Sequence, residues 1–154
     1  MRSRTSSWIE VDVRYNKGNE EGFEKPVTER YVVDALSFSE GEASAINEMQ
    51  TYVTGDLTVR KMNPAAYGEI FFSDADTDDR WYKAKLKFIY IDENSNKERF
   101  TTTTYLVQGS SLESAVNNVK AVMNGTMIDY EIISVAETNI IDVFEHKNTE
   151  APES

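Results

Sequence analysis

Three aspartates spaced two apart, Asp74, Asp76 and Asp78, come nearest in this chain to a metal-binding motif. They fall at the first three ligand positions of an EF-hand calcium loop, where alternate carboxylates converge on one cation. The match stops there. Position six requires Gly and holds Asp79, and position twelve requires a bidentate Glu and holds Lys85. The stretch also runs into a strand pattern rather than lying between helices. A solvated turn is the stronger interpretation, and no metal site is expected.

Lys83, Lys85 and Lys87 form a second constellation. Alternation puts all three on one face of a strand, near Arg80 and opposite Thr101–Thr104 if the following strand pairs back. Cationic strands with hydroxyls bind phosphates, and neighbouring aromatics stack bases. The competing interpretation is an ordinary exposed sheet face, or a stripe neutralised by Glu10 and Asp12 of the equivalent strand in the first half. Tyr31 and Tyr105 stand at matching positions and could line symmetric pockets, although core aromatics are commoner. Trp8 and Trp81 each open a strand on its polar phase. They are candidates for capping the core or for a partner surface, where aromatics are enriched.

Other chemistries are excluded by residue type. There is no cysteine, so thiolate nucleophiles, disulfides and cysteine-held metals are absent. The single histidine, His146, sits in a polar tail and cannot build a triad or a multi-His site. The glycines make neither GxGxxG nor a Walker pattern. No catalytic role, cofactor or metal is expected.

The elements that must position these residues come in two copies. Trp8–Tyr15 aligns with Trp81–Phe88 at an offset of 73, Tyr31–Val33 with Tyr105–Val107 at 74, and Ser37 with Ser111 at 74. The offset returns to 73 for Asp56–Val59 against Asp129–Ile132 and for Glu69–Phe71 against Asp142–Phe144. Ile9, Val11, Val13 and Tyr15 alternate with polar residues, as do Tyr82, Ala84, Leu86, Phe88 and Tyr90, which predicts half-buried strands. Polar turns then lead to second strands over Val27–Leu36 and Phe100–Val107. Ser37–Glu40 and Ser110–Glu113 read as capping boxes opening helices. Their apolar faces are Phe38, Ala45, Ile46 and Met49 in one, and Leu112, Ala115, Val116, Val119 and Met123 in the other. Third strands (Leu57–Met62, Tyr130–Val135) and short fourth segments ending at Phe72 and Phe144 complete each copy.

The expected fold is therefore α+β: internally duplicated strand–strand–helix–strand–strand repeats, an antiparallel sheet with one helix per repeat, related by a pseudo-twofold. The first repeat covers 1–72, an acidic linker 73–80, the second repeat 81–144 and a disordered tail 145–154. About 65 residues per repeat is marginal for a separate core, so the repeats are expected to pack as one unit.

The blocks Ser73–Phe88, Tyr105–Gln108, Gly125–Ile132 and Ile141–Phe144 resemble a domain-of-unknown-function family of small bacterial and phage proteins. The resemblance runs from about Trp8 to Phe144. It implies a cytosolic, sometimes phage-borne protein without an assigned activity, and it supplies no site residues. With 27 acidic and 16 basic residues the net charge is -11, which repels nucleic acid and anionic membrane on average. No apolar run is long enough for a membrane span, and no secretory signal is expected at the start. The expected function is a non-catalytic binding or protein-interaction role in the cytoplasm, with another protein as partner. The alternative is a small nucleic-acid or nucleotide binder using the lysine stripe and the aromatics.

Overall fold

A computed structural model describes residues 1–146; of the tail expected to be disordered, residues 147–154 lie outside the described residues. The elements are β1 (Arg2–Thr5), β2 (Trp8–Gly18), β3 (Glu24–Asp34), α1 (Phe38–Met49), β4 (Leu57–Pro64), β5 (Glu69–Phe72), β6 (Arg80–Ile91), β7 (Glu98–Gly109), α2 (Leu112–Met123), β8 (Tyr130–Glu137) and β9 (Ile140–Phe144). The fold is α+β. The order strand–strand–helix–strand–strand occurs twice, from β2 to β5 and from β6 to β9.

The chain forms two compact units, each discontinuous in sequence. One comprises Met1–Ser6 and Ala66–Ile141, with a five-stranded sheet in the order β1-β5-β7-β6-β8. The other comprises Ser7–Ala65 and the described residues from Asp142, with a four-stranded sheet in the order β4-β2-β3-β9. The fourth strand of each repeat thus enters the sheet built by the other repeat's first three strands. This exchange makes the five-stranded sheet mixed where an antiparallel one was expected, because β5 pairs in parallel with β7. The long connection a parallel pair needs is supplied by the linker and the whole of β6.

Alternation places the core as expected. Tyr82, Ala84 and Leu86 of β6 pack with Phe71, Tyr105 and Val107 beneath Ala115, Val119 and Met123 of α2. Ile9, Val11 and Val13 of β2 pack with Tyr31 and Val33 beneath Ala45 and Met49 of α1. Tyr90, in phase with this face, is nevertheless exposed, since β8 accompanies β6 only as far as Phe88. Phe38 and Leu112, first residues of their helices, are also exposed rather than on the buried face.

Local chemistry explains the boundaries. The Ser37 hydroxyl accepts the Glu40 N–H to open α1. Helix α2 starts one residue later than the Ser110–Glu113 box predicted: Ser111 is the cap and Ser114 closes the box. The short Ser114 side chain accepts from both the Ser110 and Ser111 N–H groups, a task the longer Glu113 is not placed to do. The β2–β3 turn spans residues 19–23 and the β6–β7 turn residues 92–97, one longer, which is where the repeat offset grows from 73 to 74. Asn19 and Asp92 stand at equivalent places and accept backbone N–H groups two residues on. The left-handed residue each turn needs is Gly22 at φ 85° in one and Asn96 at φ 56° in the other. Both β2–β4 and β6–β8 carry a bulge at the equivalent place, after Asp12 and after Lys85.

Strand β1 has no counterpart in the sequence reading. Four polar residues show no periodicity; they become a strand through backbone pairing with β5, and the Arg2 guanidinium lies 4.1 Å over the Phe72 ring.

Candidate functional site: the open edge of β7

An antiparallel ladder alternates residues that bond to the partner strand with residues that point their N–H and C=O away from it. In the β6–β7 hairpin the Asp92 N–H donates to the Lys97 carbonyl, which sets the phase. Counting along the register, Phe88/Thr101 and Leu86/Thr103 bond to each other, while Glu98, Phe100 and Thr102 face outward. The Ile89 N–H, opposite Phe100, checks the phase: it points away from β7 and donates to the Asp129 carbonyl on the far side. Among the described residues, the strand on the outer side of β7 is β5, which covers just Tyr105–Val107. Among the described residues, the outward backbone groups of Glu98, Phe100 and Thr102 therefore meet no strand, and these residues are exposed.

Natural sheets blunt such edges with charge, proline or cover. The equivalent stretch of the first half is Glu24-Lys-Pro-Val-Thr-Glu-Arg30, with Pro26 at an outward-facing position where its missing N–H costs the ladder nothing. Edge strand β1 carries Arg2 and Arg4. The corresponding stretch of β7, Glu98-Arg-Phe-Thr-Thr-Thr-Thr104, has no proline, and after Glu98 and Arg99 it carries no charge; its Phe and Thr residues favour the extended state.

Beside this edge, on the α2 face, lies a cleft of about 250 Å³. Its lining is Phe71, Phe88, Tyr105, Val122, Met123 and Ile128, together with Glu69 and Thr126. Phe71 stacks on Tyr105 with centroids 4.8 Å apart, and Phe88 meets Tyr105 edge-on at 6.4 Å. Burial, then the nearby Glu69 carboxylate, raises the Tyr105 hydroxyl above its ordinary pKa. Between the two loop residues of the lining sits Met127, 97% exposed and at φ 59°. A left-handed methionine stores about 1 kcal/mol of backbone strain.

The equivalent place in the other unit is tied together by a carboxylate. Tyr31 stacks on Phe144 at 5.1 Å, as Tyr105 does on Phe71. Here Glu29 stands where β7 has Thr103, and Tyr15 where β6 has Phe88. The Glu29 carboxylate accepts the Tyr15 hydroxyl at 2.6 Å, the Tyr31 hydroxyl at 2.9 Å and the Lys17 ammonium at 3.3 Å. Burial works against ionisation of Glu29, but these hydrogen bonds outweigh it and hold the carboxyl below its ordinary pKa. Tyr15 is pushed up to about 12 by burial first and Glu29 second, and Tyr31 is raised further by the same causes.

The remaining candidates sort as follows. Lys83, Lys85 and Lys87 share the face opposite α2, with Thr102 and Thr104 across from Lys87 and Lys85. Lys87 lies 4.6 Å over the Phe100 ring and 3.9 Å from Glu131; Lys83 lies 5.8 Å over Tyr67. Within their own unit, Glu10 and Asp12 lie 3.9 and 2.8 Å from Arg30 on the neighbouring strand. Trp8 and Trp81 are each 3% exposed, which removes them from any partner surface in this fold. Trp81 packs edge-on to Phe72, and the Thr138 hydroxyl and N–H both donate to its carbonyl. Tyr31 is buried in its stack; Tyr105 does line a cleft. Of the linker aspartates, Asp78 is buried and bonded to Ser73 and Asn118, and Asp74 meets the Met1 ammonium. Sequence reasoning missed the β7 edge. The signal was present in the repeat itself, as Pro26 aligned with Phe100 and Glu29 with Thr103.

Residues 7–146 match the family described as a domain of unknown function, DUF4494. The chain belongs to that family. No curated protein and no solved structure matches it. No helix among the described residues is long and apolar enough to cross a membrane.

Proposed function

We propose that this chain is a non-catalytic protein-interaction module that takes up an extended segment of another protein on the open edge of β7. The observation that carries this is the contrast between the halves. Glu98, Phe100 and Thr102 present outward backbone groups that meet no strand, and from Phe100 to Thr104 the edge has neither charge nor proline, at the place where the first half carries Pro26. Strand addition uses such groups for affinity and alternate side chains for specificity. Exposed Phe100 and Ile91, at the end of the same hairpin, extend the surface. The lack of cysteine suits a reducing cytoplasm, and we propose that location, with a bacterial or phage-borne role.

Panning a phage-displayed library of random heptapeptides on the full chain tests the proposal, with fluorescence anisotropy of a labelled selected peptide. Thr102→Pro removes one outward N–H and should abolish binding while the fold persists. Undiminished binding to that variant refutes strand addition at this edge.

A second reading rests on Lys85, which makes no ion pair among the described residues and lies across from Thr104. With Lys83 and Lys87 it would contact the phosphates of a single-stranded nucleic acid or a nucleotide.

A further inference from the structure

The cleft between Tyr105 and the end of α2 gives the β7 edge a chemical preference, and this inference rests on the strand-addition reading. Strand β5 stops at Glu69, opposite Tyr105. A segment added along β7 short of that point continues the line of β5. Side chains alternate, so its residue opposite Thr103 projects to the same face as Glu69, Phe71 and Tyr105, which line the cleft. Its neighbours opposite Thr102 and Thr104 project to the other face, where Lys87 already reaches over Phe100 and Lys85 lies across from Thr104.

We infer that the occupant is an extended segment of another protein with one large apolar side chain, Phe, Leu or Met, flanked by acidic residues, and that the apolar side chain enters this cleft. Three observations converge. At about 250 Å³ the cleft lies below the range of drug-sized ligand sites, about 300–1,000 Å³, and suits a single side chain. Its walls are aromatic and aliphatic, and Met127 and Ile128, exposed by 97% and 51%, lie at its loop. In the first half the Glu29 carboxylate bridges the Tyr15 and Tyr31 hydroxyls at the same place. Thr103 and Phe88 replace Glu29 and Tyr15 in the second half, so no carboxylate ties the aromatics together there and the cleft wall at Phe88 is apolar.

The probes are two blocked peptides, acetyl-Glu-Thr-Glu-Thr-Glu-Phe-Glu-amide, in which one residue follows the Phe before β5 begins, and the same peptide with Ala in place of Phe. On the wild-type chain the Phe peptide should bind about ten- to a hundredfold more tightly, the range expected for burying one large apolar side chain. The double variant Phe88→Tyr/Thr103→Glu rebuilds the carboxylate bridge across the cleft. It should bind the two peptides equally, the Phe advantage being lost, whereas Thr102→Pro should lose both peptides. If Thr102→Pro abolishes binding but the Phe advantage is absent, or survives in the double variant, the cleft assignment falls and strand addition stands. If neither peptide binds, or Thr102→Pro binds both, strand addition falls and the inference with it. Concentration-dependent self-association through β7, lost in Thr102→Pro, would also overturn it by making a second copy the occupant. Independently of any peptide, p-cresol titrated against methyl-labelled protein should shift the Met123, Val122 and Ile128 methyls in wild type and not in the double variant. Absence of those shifts in wild type overturns the cleft assignment.

Discussion

The alternation along β7 assigns opposite consequences to two neighbouring threonines. At Thr103 the backbone N–H bonds inward to Leu86, so Thr103→Pro removes a ladder hydrogen bond and leaves the Leu86 carbonyl unpaired between two strands. A lost bond costs about 1 kcal/mol and a stranded buried acceptor about 1–3 kcal/mol more, for a total of about 2–4 kcal/mol. At Thr102 the N–H faces outward, so Thr102→Pro removes no intramolecular bond and costs about 1 kcal/mol or less. Pro26 already occupies an outward position of β3 in the same hairpin geometry. In a chain of this size the first change should lower Tm by roughly 5–15 °C and the second by no more than a few degrees. Thermal unfolding followed by near-ultraviolet circular dichroism separates them. Equal losses, or a larger loss at Thr102, would show that the phase of the ladder is wrong and that these backbone groups are not at a free edge.

Other expectations follow from the side chains. Glu29→Gln should cost about 1–3 kcal/mol in chemical denaturation, as two tyrosine hydroxyls lose a charged acceptor. It should also move the Tyr15 titration, read at 295 nm, from about 12 back toward 10. In the wild type the raised Tyr15 pKa gives stability that is complete below pH 10 and lost as pH rises through about 12. The lowered Glu29 pKa gives stability present above the ordinary carboxylate pKa and lost as pH falls below it. Burial opposes ionisation of Asp78, yet bonds from Ser73, Asn118 and Ser110 hold its pKa low, so Asp78→Ala should destabilise by about 1–3 kcal/mol, measured in urea. If the lysine stripe contacts phosphates, single-stranded DNA binding should fall with salt at a logarithmic slope near two for three contacts. It should vanish when Lys83, Lys85 and Lys87 are changed to Glu; no salt dependence removes that reading.

Period-two alternation made β2 and β6 and their core faces legible, because a half-buried strand leaves its signature in every second residue. The matched offsets made the order of elements legible as well, and the Ser37–Ser111 match marked the α2 cap better than the box motif at Ser110. What the sequence could not show is which strand each fourth segment joins. Phe71 and Phe144 are apolar at the right spacing, but spacing carries no information on whether they stack on Tyr31 or Tyr105. Strand β1 was hidden for a related reason: it is held by backbone bonds that Arg2–Thr5 do not advertise. The tryptophans look solvent-facing by phase, and Trp81 is buried because Phe72 covers it from β5. The site was half legible. Tyr105 was singled out, but the contrast of Phe100 with Pro26 and Thr103 with Glu29 acquires meaning only once the free side of β7 is known.

Amide hydrogen exchange across Glu98–Thr104 by NMR tests the central claim most directly. In the free chain the Phe100 and Thr102 amides should exchange rapidly and the Thr101 and Thr103 amides slowly. On saturation with a bound peptide the Phe100 and Thr102 amides should become protected, with no such change in Thr102→Pro for the amides that remain. Protection of all four amides in the free chain, or a bound peptide that leaves Phe100 and Thr102 exchanging as before, would contradict strand addition at β7.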